Sequence, residues 1–156
     1  MLTGYLRSTI LTETSQPKRD TWAKAFADEL ANVANGLAPL ELHRQQIPFY
    51  VHVQNFHYAL GEAERLSMET GTAALIQSLA VFADNTRNFT QAARLFERLA
   101  SHCNSSGNKE GVAAAYHQLG WVAEQQRDFT AAERRYLQSL NIAAKQGAPL
   151  RKLPSW

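Results

Sequence analysis

The chain is expected to be all-α, built from helical hairpins stacked side by side. Three observations predict this. Residues 71–100 and 111–140 align without a gap at an offset of 40, with ten of thirty positions identical. The identities are Gly71/Gly111, Ala73/Ala113, Ala74/Ala114, Leu79/Leu119, Ala83/Ala123, Arg87/Arg127, Phe89/Phe129, Thr90/Thr130, Ala92/Ala132 and Arg94/Arg134. A fixed period of this size marks a stacked-repeat architecture. Within each copy apolar residues recur at helical spacing. Polar links, Thr86-Arg87-Asn88 and Gln126-Arg127-Asp128, then divide each copy into two helices that must run antiparallel. Stacked repeats mostly present a surface to a partner and seldom carry chemistry.

Taken in order, residues 1–16 read as a flexible arm or one poorly determined helix, ending in the polar stretch before Pro17. Residues 17–70 form N-terminal helices. The first should run from Pro17 to Asn35, with Pro17 at a first helical position and Gly36 as the left-handed residue after its end. Its apolar stripe is Trp22, Phe26, Leu30 and Val33. A short segment, Leu37–Gln46, lies between Pro39 and Pro48. A second long helix should then run from Pro48 to Glu69 and stop before Gly71, with Phe49, Val53, Phe56, Leu60 and Ala63 along its seam. Residues 71–147 hold the two repeats: Thr72–Asn85 with Phe89–His102, and Lys109–Gln125 with Phe129–Lys145. Asn88 and Asp128 suit the N-caps of the second helices. Residues 102–108 read as a loop rich in turn formers. Gly147 ends the last helix, and 148–156 form a C-terminal tail. The expected core includes Leu79, Ala83, Ala92, Phe96, Leu119, Ala132, Tyr136 and Leu140.

Composition narrows the function. A net charge of +2 from scattered basic residues gives no block that would follow a nucleic-acid backbone or an anionic membrane. No apolar run approaches the length of a membrane span. The start lacks a basic head followed by an apolar stretch, and the single Cys103 excludes an intrachain disulfide. Together these point to the cytoplasm.

Residues with catalytic or metal-binding chemistry do not converge. His52 and His57 are five apart and diverge on a helix, and His102-Cys103 is one pair with no second, so no metal and no cofactor is expected. Cys103 beside His102 lacks a third, orienting group for nucleophilic catalysis. Gly107-Asn108-Lys109-Glu110-Gly111 follows no strand and lacks the phosphate-loop pattern. Glu62, Glu64, Glu124 and Asp128 lie on expected solvent faces and suggest no acid–base pair. The protein is not expected to be an enzyme.

The second repeat resembles a tetratricopeptide repeat, whose pattern is W-x2-L-G-x2-Y, then A-x3-F, then P. Tyr116 stands in the Trp place, Leu119 and Gly120 match, Ala123 takes the Tyr place, and Ala132 with Tyr136 matches the A-x3-F pair. Ala144 falls near the final Pro place, a departure. The first repeat fits with Ile76, Leu79, Ala80, Ala83, Ala92 and Phe96. The period of 40 exceeds the usual 34, so the chain is similar to the long-helix variety seen in bacterial arrays of signalling proteins. The resemblance covers 71–147, and 48–70 more loosely as part of a degenerate leading repeat. It implies a short right-handed α-solenoid in which Gly120 and Ala80 sit where paired helices approach closely.

The resemblance also implies where a partner binds. The first helix of each repeat lines a concave face, and the positions free of packing are Ala74, Gln77, Val81, Asp84 and Asn85, then Ala114, His117, Trp121, Glu124 and Gln125. This face is largely polar with one aromatic anchor, which suits a protein or peptide segment. Two readings of Trp121 stay open: a groove anchor, or packing on a neighbouring repeat. Asn85 and Gln125 are candidates to clamp a peptide backbone, against the plainer reading as surface amides. With Asp84 and Glu124 and no Lys or Arg, the face does not suit nucleic acid. The expectation is a non-catalytic protein–protein interaction module. The alternatives are a ligand-sensing segment of a larger signalling ATPase, and an enzyme with a pocket between the N-terminal helices and the repeats. Finally, Tyr136, Leu137, Leu140 and Ile142 leave the last helix with more apolar surface than one hairpin partner can cover. A homodimer through that helix, or a fold-back of Leu150, Leu153 and Trp156, would cover the remainder.

Overall fold

A computed structural model describes residues 16–147. Among them are six α-helices and no strand: α1 Gln16–Leu37, α2 Leu42–Arg65, α3 Glu69–Asn85, α4 Phe89–Ser105, α5 Lys109–Gln125 and α6 Phe129–Lys145. Successive helices pack as hairpins, α1 with α2, α3 with α4 and α5 with α6, and α1 also lies against α3. One continuous core runs through the stack, from Ala27 and Phe49 to Leu119 and Val122. The arm expected over 1–16 lies outside the described residues except for Gln16, which opens α1. The tail 148–156, with its expected fold-back, lies outside them as well.

The turns explain the regularity. Ser67, Arg87, Gly107, Arg127 and Gly147 all have positive φ, between 54° and 75°, and they fall every 20 residues. After each of the first four, the next residue closes the preceding helix from its backbone N–H: Met68 to Ala63, Asn88 to Ala83, Asn108 to Cys103 and Asp128 to Ala123, at 2.8–2.9 Å. This is the Schellman arrangement, which satisfies carbonyls a helix end would leave orphaned. At three of those turns the same residue also opens the next helix. The side chains of Asn88, Asn108 and Asp128 accept from the N–H groups of Gln91, Gly111 and Ala131. One residue thus finishes a helix with its backbone and starts another with its side chain.

Several expectations need correction. The expected loop over 102–108 is mostly helix, since α4 continues to Ser105. The second helix ends at Arg65 and not near Gly71, which lies in the first turn of α3. Pro48 does not start a helix: α2 begins at Leu42 and runs through it. Pro48 has no N–H, so the Arg44 carbonyl lacks the helical donor it would otherwise have four residues on. Gly36 is an ordinary α1 residue without positive φ. The buried residues of α1 are Ala27, Ala31 and Ala34; of the expected stripe, Phe26 and Leu30 pack half-buried against the core, while Trp22 and Val33 are exposed. The large residues carried the stronger hydrophobic signal, but close approach of α1 to both α2 and α3 selects the small ones.

In the core, Leu79, Ala83, Ala92, Phe96, Leu119 and Ala132 are buried as expected. Tyr136 is only half-buried and Leu140 is exposed. The repeat register supplies the reason. The equivalents of Leu140 are Leu60 and Ala100, both buried under the helix pair that follows them. Likewise Phe49 is fully buried and stacks on Phe82 at 4.4 Å, Phe89 is half-buried, and Phe129 is 66% exposed. Among the described residues no helix follows α6.

Candidate functional site

The residues expected to meet a partner lie on α3 and α5. Gln77, Val81 and Asp84 are half-buried on α3, and Asn85 is exposed at its end. On α5, His117 is half-buried, and Trp121, Glu124 and Gln125 are exposed. The flanking small residues Ala74 and Ala114 are half-buried.

The structure sorts these residues into three groups. The first couples the two hairpins. Trp121 on α5 lies close enough to Asp84 on α3 to act on its carboxyl, so the two hairpins are neighbours there. Burial pushes the Asp84 carboxyl above its ordinary value, and the indole N–H pulls it only partly back. Trp121 nevertheless remains 44% exposed. Its neighbour on the preceding repeat is Asp84, and much of its surface is open to solvent.

The second group turns toward α6. His117 packs on the Tyr136 ring at 5.3 Å, and Glu124 accepts from the Tyr136 hydroxyl at 3.0 Å. Burial, reinforced by the Glu124 carboxylate, raises the Tyr136 hydroxyl to about 12, so it stays a donor. A Cβ at Gly120, between these two, would meet the same ring at 2.6 Å. This ring is the reason the sequence needs glycine there.

Asn85 belongs to neither group. Its amide donates to Gln45 at 3.0 Å, and the buried Gln45 in turn donates to the carbonyls of Leu37 and Ala38 at the end of α1. Asn85 thus holds the N-terminal hairpin to α3, a structural duty that a backbone clamp would have to share. Gln45 carried no sequence signal, because a Gln in a helix-flanking segment reads as solvated. The third group, Gln77, Val81 and Gln125, keeps side chains that no neighbour engages through hydrogen bonds.

The thiol candidate resolves differently. The His102 ring bonds the Glu69 carbonyl at 3.0 Å and is not offered to Cys103. Cys103 is buried, and burial pushes its thiol up, which suits packing and not nucleophilic attack. A Cβ at Gly111 would come within 2.7 Å of its sulfur, so this pair sets how closely α4 and α5 approach. Among the described residues no three His, Cys, Asp or Glu side chains gather as metal ligands, and no helix is long and apolar enough to cross a membrane.

With this geometry in place, the comparison with known families is specific. Residues 71–145, which are α3 to α6, match the family model described as Tetratricopeptide repeat. No curated protein and no solved structure matches the chain. Residues 71–145 belong to the tetratricopeptide repeat family.

Proposed function

We propose that this tetratricopeptide repeat chain is a non-catalytic interaction module that holds a peptide or protein segment against α3 and α5. Proteins of stacked repeats commonly bind through extended concave surfaces. The observation that carries the reading is Trp121, a large aromatic residue left 44% exposed beside Asp84 of the neighbouring repeat. A large, rigid aromatic side chain loses little freedom on binding, which is what an anchor residue needs. Gln77, Val81 and Gln125 add polar and apolar contacts around it. We assign residues 17–70 to the same array as a degenerate leading repeat, since Phe49, Leu60 and the left-handed Ser67 keep register with Phe89, Ala100 and Gly107. Cys103 as a lone, buried thiol supports the cytoplasm as its compartment.

The test selects peptides from a random library on the intact chain and measures their binding to Trp121→Ala and Gln77→Ala. Loss of at least tenfold in affinity with unchanged thermal melting is expected for Trp121→Ala. Selected peptides that bind both variants as tightly as the parent would place the partner elsewhere.

We further propose self-association through α6. Phe129, Leu137 and Leu140 are exposed on it, whereas of their first-repeat equivalents Phe89 is half-buried, Ala100 is buried and Glu97 pairs with Arg135 of α6. Sedimentation equilibrium should show a concentration-dependent dimer that Leu137→Glu with Leu140→Glu abolishes. A strict monomer at all concentrations rejects it.

A further inference from the structure

A cavity of about 500 Å³ opens between α4, α5 and α6, away from the residues assigned above to partner binding. Val112, Tyr116 and Leu119 line it from α5, Ala100 from α4 and Ile142 from α6. The lining differs one repeat earlier. Forty residues back the equivalent positions include Leu60, Ile76, Leu79 and Leu95, all core residues at most 6% exposed. Two exchanges distinguish the second site: Ala100 stands in the place of Leu60, and Arg135 in the place of the buried Leu95. The groove opens to solvent, and its volume falls in the range of small-molecule sites.

The lining charges indicate what fits. Arg135 pairs with Glu97 at 2.9 Å and lies 5.6 Å from the centre of the Tyr116 ring. Those two charges cancel. Lys109 is the remaining ion at the cavity, and its ammonium donates to the neutral Asn104 side chain at 2.9 Å. The site therefore combines an apolar wall with one uncompensated positive charge.

We propose that this cavity binds a small amphiphilic carboxylate, with its apolar body against Ala100, Leu119 and Ile142 and its carboxylate paired to Lys109. The Arg135–Glu97 pair closes one rim of the site without adding net charge, so Lys109 alone selects the anion. A neutral molecule of the same shape gains the apolar contacts but leaves Lys109 unpaired.

Octanoate is the probe, with octanol as its neutral counterpart, followed by calorimetry and by methyl resonances of Ala100, Leu119 and Ile142. Octanoate should bind once per chain and shift those methyls, at least tenfold more tightly than octanol. Ala100→Leu, which restores the residue the preceding repeat uses, should abolish binding and melt no lower than the parent. Lys109→Gln should remove the preference for octanoate over octanol. Equal affinity for the two probes, absence of saturable binding, or full binding by Ala100→Leu would each overturn the proposal. So would binding of an acetylated Leu-Leu-Glu amide in place of octanoate, because the carboxylate would then come from a peptide.

Discussion

Gly120 lies against the ring of Tyr136 so closely that a single added carbon would sit 2.6 Å from Cδ1 and Cε1. The ring has little room to yield, since its hydroxyl is held by Glu124 at 3.0 Å. Two effects oppose each other in Gly120→Ala. Alanine is favoured over glycine inside a helix by about 1 kcal/mol. Overpacking at a close contact costs roughly 1–3 kcal/mol. The packing effect should win, with a net loss of about 1 kcal/mol in urea unfolding, and Gly120→Leu should lose more. In a Tyr136→Ala background the sign should reverse, because only the propensity gain remains. A destabilising Gly120→Ala in that background would show that the ring is not the obstacle.

Asp84 yields a prediction in pH. Its folded-state value lies above the ordinary 3.8, chiefly from burial. The folded protein therefore holds a proton more tightly than the unfolded chain, and this group's contribution falls as pH rises through the window above 3.8. Asp84→Asn removes the cost of burying the charge and leaves an oxygen for the Trp121 indole. It should melt higher than the parent at pH 7, and the advantage should shrink as pH falls into that window. A variant that melts lower at pH 7 would mean that the carboxylate's bond to Trp121 outweighs its desolvation.

Arg87 and Arg127 occupy the left-handed region with φ of 60° and 61°. That conformation costs a side-chain-bearing residue about 1–2 kcal/mol, whereas glycine's extra freedom in the unfolded chain costs about 0.5–1 kcal/mol. Arg87→Gly and Arg127→Gly should each stabilise by up to about 1 kcal/mol, and Gly107→Ala should destabilise by a similar amount. Urea midpoints check all three. Loss of stability in Arg127→Gly would reveal contacts of the Arg side chain that outweigh the backbone term.

Leu60 and Leu140 share a repeat position but differ in cover, at 1% and 36% exposed. Leu60→Ala should cost about 2–5 kcal/mol. Leu140→Ala should cost about 1 kcal/mol or less, as for a partly exposed site. Equal losses at low concentration would show that the outer face of α6 is covered within one chain.

Much of the fold was legible because the repeat prints itself twice. The 40-residue offset located α3 to α6, and the bounds of α5 and α6 read from residues alone match those observed. Asn88 and Asp128 were recognisable caps because a short oxygen-bearing side chain before a helix has few other uses. The finer spacing of 20 was not legible. Its left-handed residues are Ser, Arg, Gly, Arg and Gly, and only glycine announces that conformation. The candidate site was legible as a face but not as a set of contacts. Residues at 117, 121 and 124 share a helix surface by spacing, yet one points to Asp84 and two to Tyr136.

What the sequence by itself determined is the class, the period and the antiparallel pairing, since those follow from local spacing and turn chemistry. Only the tertiary structure decided which surfaces face inward. Trp22 is exposed and Ala27 buried because helices that touch two neighbours need small residues at the contact. Gly111 and Gly71 are identical in the alignment, but only Gly111 meets a neighbour too near for a side chain, Cys103 at 2.7 Å. The cavity beside Arg135 is likewise assembled from three helices, with Ala100, Leu119 and Ile142 in its lining. Burial depends on what lies opposite a residue in space, and a repeat carries no record of its neighbour's volume.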